Sequence, residues 1–171
     1  MTAMAFHLGK ILGRKYDLAI NAGVAGSFRR SISPGTVVNV VKDSFADLGA
    51  EDGEKFLTLR EMGLAKGASL KAQGRWKGSK ILSNLSKVDS ITVNTVHGNA
   101  ANIKKIIRKF NPDIESMEGA AFFFACNNFK MPCIQIRAVS NYVERRNKKA
   151  WKLMPAIENL NAFLEEMLAS V

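Results

Sequence analysis

Cysteine is scarce in this sequence, which has only two, Cys126 and Cys133, among 171 residues. Their spacing matches neither a disulfide framework nor a zinc-binding motif. Free cysteines are usually buried as small apolar side chains, and we interpret both in this way. The sequence therefore does not belong with the small secreted scaffolds that depend on disulfides.

Long apolar runs are also missing, since no stretch approaches the roughly 18 residues of a membrane span. Residues 1–15 lack the basic start and the cleavage site of a signal peptide. We therefore predict a cytoplasmic protein without membrane contact. The length and the apolar fraction of 47% predict one globular domain over residues 1–171.

Acidic residues are the minority, with 15 Asp and Glu against 25 Lys and Arg, a net charge of +10. A nucleic-acid partner would be one reading of this excess. The basic residues are dispersed, however, over segments 71–80, 104–109 and 145–149. No basic recognition helix or aromatic-studded basic strand is visible, so we predict a solvated basic surface and no nucleic-acid partner.

The acidic residues of segment 43–52 do not have the spacing of a calcium-binding loop. We interpret this segment as a solvated loop and predict no metal site and no cofactor.

Apolar periodicity predicts an α/β fold with a mixed central sheet flanked by helices. Residues 23–27 are interpreted as a small-residue turn and residues 61–85 as a long excursion. Polar residues collect where predicted strands end, which is where such sheets bind ligands. Helices are predicted over residues 2–12, 99–110, 118–128 and 148–168, and strands over 16–22, 36–41, 56–59, 90–96, 114–115 and 132–140.

Three of these segments carry a resemblance: NAGVAG at 21–26, ESMEGAA at 115–121 and RAVSN at 137–141. They resemble the nucleoside phosphorylase and nucleosidase superfamily, and the longer strings at 43–53, 115–124 and 137–147 look like its futalosine hydrolase family. The resemblance implies hydrolysis of the N-glycosidic bond of futalosine, with release of hypoxanthine, in a menaquinone pathway. It also implies a homo-oligomer without cofactors; the alternative substrate is another purine nucleoside, such as methylthioadenosine.

The resemblance assigns roles to seven residues. Glu118 would bind the ribose hydroxyls, since a carboxylate offers two acceptor oxygens to adjacent O–H groups, and Met117 would lie under the sugar. Without the resemblance, Glu118 reads as a carboxylate favoured by a helix N-terminus. Asn141 would serve N7 and O6 of a 6-oxopurine, or else simply form a turn. The remaining implied substrate contacts are Ala22, Gly23, Val96 and His97.

Two departures from the family concern the reaction. Phosphorylase relatives supply an Arg and a hydroxyl to phosphate where this sequence has Asn21 and Val24, which favours water as the nucleophile. The family's first strand brings a Glu that activates this water, but the sequence starts at the following helix. The resemblance therefore implies an N-terminally shortened chain, or a nucleoside-binding fragment without activity. A missing strand should leave an unpaired edge or a gap in the sheet.

Overall fold

A computed structural model of the chain describes residues 1–13, 16–65, 69–72 and 80–170. Five consecutive strands follow the first helix, and the later strands alternate with helices. The helices are α1 (Thr2–Ile11), α2 (Lys80–Ser83), α3 (Ala100–Phe110), α4 (Gly119–Asn128) and α5 (Leu153–Ala169), with a short 3-10 helix at Lys148–Ala150. The strands are β1 (Ala19–Ser27), β2 (Val37–Phe45), β3 (Gly49–Asp52), β4 (Lys55–Thr58), β5 (Leu70–Lys71), β6 (Lys87–Thr92), β7 (Ile114–Ser116) and β8 (Cys133–Tyr142).

The main sheet is mixed, with the strand order β5-β2-β6-β7-β1-β8. Strand β6 runs parallel to β2 and β7, whereas β8 runs parallel to β1 and antiparallel to β2. Because β8 pairs with both β1 and β2, the sheet curls back on itself, and the β3–β4 hairpin stands apart from it. The predicted mixed sheet with flanking helices is confirmed.

Strand β8 lies at the centre of the fold because it is paired on two sides and buried along most of its length. Its residues Ile134, Ile136 and Ala138 form a core cluster with α5. Successive side chains of a strand alternate between faces. Gln135 and Arg137 consequently point the other way, toward the interior between the sheet and α4.

The helices cover the sheet with apolar faces. Helix α4 contributes Phe122, Phe123 and Cys126 to the largest core cluster, which also contains Leu8 and Leu12 at the α1 end of the chain. Helix α3 places Ile106 and Phe110 against β6. No helix in the described ranges combines the length and the apolarity of a membrane span.

One edge of β1 is open over most of the strand. Strand β1 pairs with β8 from Ala19 to Ser27, but with β7 only at Gly26 and Ser27. Among the described residues, no strand pairs with the second edge of residues 19–25. This matches the unpaired edge that the sequence predicts.

Two sequence interpretations are wrong. Residues 23–27 do not turn but continue β1, because β8 supplies backbone partners up to Ser27. Residues 43–52 are not a solvated loop. Asp43 and Phe45 belong to β2 and pair with β6, and the last four residues of the segment form the hairpin strand β3.

Other boundaries differ by a few residues. The strand predicted over 90–96 is β6, which ends at Thr92, so residues 93–96 leave the sheet. The predicted 148–168 helix opens as a 3-10 turn before α5. Of the predicted excursion 61–85, residues 66–68 and 73–79 lie outside the described residues, and with them most of the basic segment 71–80.

Candidate active site

A cavity of about 430 Å³ lies where β1, β7 and β8 end. The loop after β6, the turn before α4 and the loop after β8 complete its walls. The lining includes the predicted site residues Val96, His97, Met117, Glu118 and Asn141.

The two remaining predicted residues do not line this cavity. Ala22 is exposed, and Gly23 lies against the Arg137 guanidinium, with which a Cβ at position 23 would collide. Strand β1 reaches the cavity instead through Val24, Ala25 and Gly26, three residues that are one to four positions further along the strand. Because β1 continues through the predicted turn, its contact with the cavity lies nearer the C-terminal end of the strand than the sequence predicts.

Glu118 stands at the position preceding α4, with its side chain 41% exposed at the cavity. Its side chain makes no capping hydrogen bond to the helix. The carboxylate Oε2 atom lies 3.8 Å from Nη2 of Arg137. Both oxygens of Glu118 are therefore available to donors of a molecule in the cavity, with Met117 beside them.

Arg137 is a buried cation behind this carboxylate. Its side chain is 2% exposed, and its Nε and Nη2 atoms have no hydrogen-bond partner among the described residues. Burial lowers the pKa of Arg137, while the charges of Glu118 and Asp43 oppose the shift. Unpaired buried N–H groups cost free energy. The Arg137 guanidinium is therefore suited to donate hydrogen bonds to a ligand or to a water molecule.

Asn141 has a fixed amide in the lining of the same cavity. Its Oδ1 atom accepts a hydrogen bond from Ser140 Oγ at 2.8 Å, and its Nδ2 atom donates to the Tyr142 carbonyl at 2.9 Å. One N–H and one acceptor lone pair of the amide remain for a ligand. The side chain can thus both donate to and accept from the same purine edge.

His97 and Glu115 form a nearly buried pair in the same wall. The Oε2 atom of Glu115 lies 2.7 Å from His97 Nδ1, and its Oε1 atom accepts from the His97 backbone N–H at 3.1 Å. Their side chains are only 14% and 4% exposed. Glu115 is not among the seven residues that the resemblance assigns to the site; the available signal was a carboxylate in the short strand β7.

Asp43 is fully buried beneath α4, contrary to the loop interpretation. It accepts from Thr92 Oγ1 at 2.8 Å and from Gln135 Nε2 at 3.0 Å, while Thr92 Oγ1 accepts from the Ala120 N–H at 2.7 Å. Burial raises the pKa of Asp43 to about 6, although the bonds from Gln135 and Thr92 act against the rise. This network ties the first turn of α4, and hence Glu118, to the sheet.

The two cysteines are free and buried, as predicted. The neighbouring thiol of Cys133 and burial raise the pKa of Cys126, so this thiol is not activated. Within the described part of the chain, no group of three or more His, Cys, Asp or Glu residues could hold a metal ion.

A larger cavity of about 780 Å³ shares Val96, His97 and Gly98 with the first one. The β3–β4 hairpin and α3 form its other walls. His97 therefore stands between two spaces, which leaves room beside the smaller cavity for a further part of a ligand.

Known proteins resemble this chain in sequence and in fold. Futalosine hydrolase from Streptomyces coelicolor is 31% identical over 150 residues, which cover 86% of this chain and 63% of the relative. Futalosine hydrolase from Acidothermus cellulolyticus is 30% identical, with 86% and 62% covered. The chain thus spans a little under two thirds of the length of these relatives.

Solved structures share the fold. Futalosine hydrolase of Helicobacter pylori superposes with a TM-score of 0.78 at 14% identity, over 99% of this chain and 76% of that one. A methylthioadenosine/S-adenosylhomocysteine nucleosidase from Colwellia psychrerythraea, solved with adenine, gives 0.77 at 21% identity, over 99% and 74%. The sequence profile described as the phosphorylase superfamily matches residues 2–169, and the chain belongs to this superfamily.

Proposed function

We propose that this chain binds a purine nucleoside in the 430 Å³ cavity and hydrolyses its N-glycosidic bond, with futalosine as the substrate and hypoxanthine as the released base. One observation carries the proposal: the same cavity is lined by Glu118, whose side chain makes no capping hydrogen bond, and by Asn141, whose amide is held by hydrogen bonds. The names of the two curated relatives support futalosine as the substrate.

Glu118 and Met117 suit the ribose. The Glu118 carboxylate has two oxygens without a hydrogen bond to the described residues, so it can accept from the 2′ and 3′ hydroxyls while it stays beside Arg137, and Met117 provides an apolar surface for the sugar. Breaking the glycosidic bond leaves positive charge on the ribosyl group. A carboxylate held in place before the reaction stabilises that charge without reorganisation.

Asn141 suits a 6-oxopurine. Its remaining N–H and lone pair allow one donated and one accepted hydrogen bond. Hypoxanthine presents both kinds of group along its N7 and O6 edge. The fixed orientation by Ser140 and Tyr142 favours a base of this type.

Strand β1 favours water over phosphate as the nucleophile. The β1 residues in the cavity wall, Val24, Ala25 and Gly26, offer neither a cationic nor a hydroxyl side chain, and Asn21 is buried further back. A phosphate dianion would need such partners.

The deciding assay incubates the purified chain with futalosine and follows hypoxanthine by chromatography, with and without inorganic phosphate. We expect phosphate-independent release, faster than adenine release from methylthioadenosine.

Glu118→Gln should lower kcat/KM by roughly 100-fold or more, because it removes charge stabilisation in the transition state. Glu158→Gln on the exposed face of α5 is the matched control and should retain activity. Dependence on phosphate, or preference for methylthioadenosine, would contradict the proposal.

One observation favours nucleoside binding without turnover as a second candidate. Three glutamates line the cavity in the described part of the chain: Glu115 is bonded to His97, Glu144 is bonded to Arg30, and Glu118 is assigned to the ribose. None of them is left to activate water. Calorimetry that detects nucleoside binding, together with no hypoxanthine release, would support this candidate.

We further propose a cytoplasmic protein that acts in menaquinone synthesis as a homo-oligomer. Two buried, reduced thiols suit a reducing compartment. Exposed apolar side chains such as Leu64, Phe124 and Phe129 suit burial in a subunit interface. Sedimentation analysis should show a species heavier than the 18.8 kDa chain; a monomer at all concentrations would contradict the oligomer.

A further inference from the structure

The departing purine must take up a proton, and Asn141 cannot give one. An amide donates hydrogen bonds, but it does not release its proton at neutral pH. The proton for the leaving base must therefore come from another group in the cavity wall or from water, if the proposed function holds.

The wall contains few titratable candidates. Glu144 is exposed and bonded to Arg30 at 2.7 Å, and the Tyr142 hydroxyl donates to the Arg30 carbonyl at 3.3 Å. Glu118 is assigned to the ribose. His97 and Glu115 remain, and they are bonded to each other.

The geometry of this pair leaves one nitrogen of His97 unused. Glu115 holds the ring nitrogen Nδ1 at 2.7 Å and the backbone N–H of His97 at 3.1 Å, so it fixes the residue at one point of the ring and one point of the backbone. The Phe28 ring packs at 6.4 Å between centroids and limits the ring further. The Nε2 atom makes no hydrogen bond to any described residue, and His97 lines the cavity.

The pair also lies close to Asn141. Glu115 is opposite Gly26 in the β1–β7 pairing. A Cβ placed on Gly26 would meet Asn141 Nδ2 at 3.4 Å and Glu115 Cγ at 3.7 Å. The glycine thus lets the base-side amide and the Glu115–His97 pair meet at one point of the wall.

We propose that His97 donates the proton to the leaving purine and that Glu115 is its positioning residue; this rests on the proposed function. The bond between C1′ and N9 breaks, its electron pair goes to the purine, and the Nε2 proton moves to a purine ring nitrogen. Water adds its oxygen to C1′ and releases a proton, which restores the ring through solvent. The ring keeps its Nδ1 proton on Glu115 throughout, the arrangement that orients histidine in other catalytic sites.

The test compares two ribosides that differ in their need for a proton. Hypoxanthine leaves poorly unless it is protonated, whereas 4-nitrophenolate leaves without protonation. His97→Gln should lower kcat on futalosine by roughly 100-fold or more, and it should leave hydrolysis of 4-nitrophenyl riboside within a few-fold of the original chain. Equal losses on both ribosides, or no loss on either, would overturn the proposal.

Two further variants separate positioning from folding. Glu115→Gln should lower kcat on futalosine more than it raises KM, because the base still binds beside a misoriented ring. His97→Ala should regain activity on futalosine when imidazole is added. An unchanged kcat in Glu115→Gln, or a failure of imidazole to restore any activity, would count against the pair.

The second measurement does not depend on turnover. The chain has two histidines, so the ring nitrogens of His97 can be followed by NMR beside those of exposed His7 on α1. Adding hypoxanthine should shift the Nε2 resonance of His97 and leave His7 unchanged; no shift would overturn the contact. If the original chain hydrolyses neither riboside, the proposed function and the proton donation both fall, and the NMR result alone decides whether the pair contacts the base.

Discussion

At the scale of single residues, the buried polar groups are the informative ones. Asp43, Gln135 and Arg137 are 2% exposed or less, yet Gln135 Oε1 and the Nε and Nη2 atoms of Arg137 have no hydrogen-bond partner among the described residues. A buried polar group without all of its hydrogen bonds costs free energy, so its presence suggests that it positions a neighbouring functional group. Here they lie under the first turn of α4 and behind Glu118.

Asp43 should make stability depend on pH. Its pKa is about 6 in the folded chain against an ordinary value of 3.8, so the folded state binds the proton more tightly. This contribution to stability is complete below pH 3.8 and is lost as the pH rises through about 6. Asp43→Asn does not titrate, and its amide can bond to Gln135 Oε1, which lacks a partner.

We therefore expect the free energy of unfolding of Asp43→Asn, relative to the original chain, to increase by roughly 2–3 kcal/mol between about pH 4 and pH 7.5. Urea denaturation at a series of pH values measures this difference. Asp17→Asn, at an exposed position, is the control and should leave the pH profile unchanged. Parallel profiles for Asp43→Asn and the original chain would show that Asp43 does not carry the dependence.

These residues also mark the limit of sequence reasoning. Glu118 and Asn141 were predictable because their strings resemble a family, and the structure places them in one cavity. Asp43 was misread because its neighbours Asp47 and Glu51 suggested a solvated loop. Its bonds reach Thr92 and Gln135, which are 49 and 92 positions away in the chain. No local pattern contains that information.

At the scale of elements, two glycines in helices provide a matched comparison. A Cβ on Gly9 in α1 would meet nothing within 4 Å, whereas a Cβ on Gly119 in α4 would overlap the Asp43 carboxylate and lie 2.7 Å from Gln135 Oε1. Gly9→Ala should raise the free energy of unfolding by about 0.5–1 kcal/mol through backbone entropy. Gly119→Ala should lower it by roughly 1–3 kcal/mol through overpacking. Chemical denaturation of both variants checks the opposite signs, and a stabilising Gly119→Ala would refute the crowding argument.

The N-terminus of α3 offers a second test. The Asn99 side chain accepts from the N–H groups of Ala101 at 2.9 Å and Asn102 at 3.2 Å. Asn99→Ala leaves both donors without this partner and should cost about 1 kcal/mol of stability. Asn99→Asp keeps the acceptor and should be close to neutral in thermal melts. If both variants melt alike, the cap does not contribute as described.

Element prediction succeeded where periodicity was local and failed where pairing was distant. Helix α1 and the short strand β7 are each within one residue of their predicted bounds. Residues 23–27 were taken for a turn because they are small, but β8 extends β1 through them. Small residues permit both outcomes, and the partner strand, more than 100 positions later, decides between them.

At the scale of the whole molecule, the net charge is +10, and the basic residues are dispersed along the sequence. Several cations are paired with carboxylates: Arg29 with Asp113, Arg30 with Glu144, Lys42 with Asp89 and Lys109 with Glu61. We expect only weak binding to DNA or RNA, which should disappear between about 50 and 200 mM salt. Fluorescence anisotropy with labelled oligonucleotides measures this, and tight binding at 200 mM salt would contradict it.

The sequence by itself determined the four longer helices, most strands and the membership of the phosphorylase superfamily, because these depend on local periodicity and on short strings such as ESMEGAA and RAVSN. The tertiary structure alone decided which side chains meet. Strand register places Glu115 opposite Gly26 and beside His97, and it places Asp43 beneath α4. Register is fixed by the packing of segments far apart in the chain, so the surroundings of a buried polar side chain cannot be read from its neighbours in sequence.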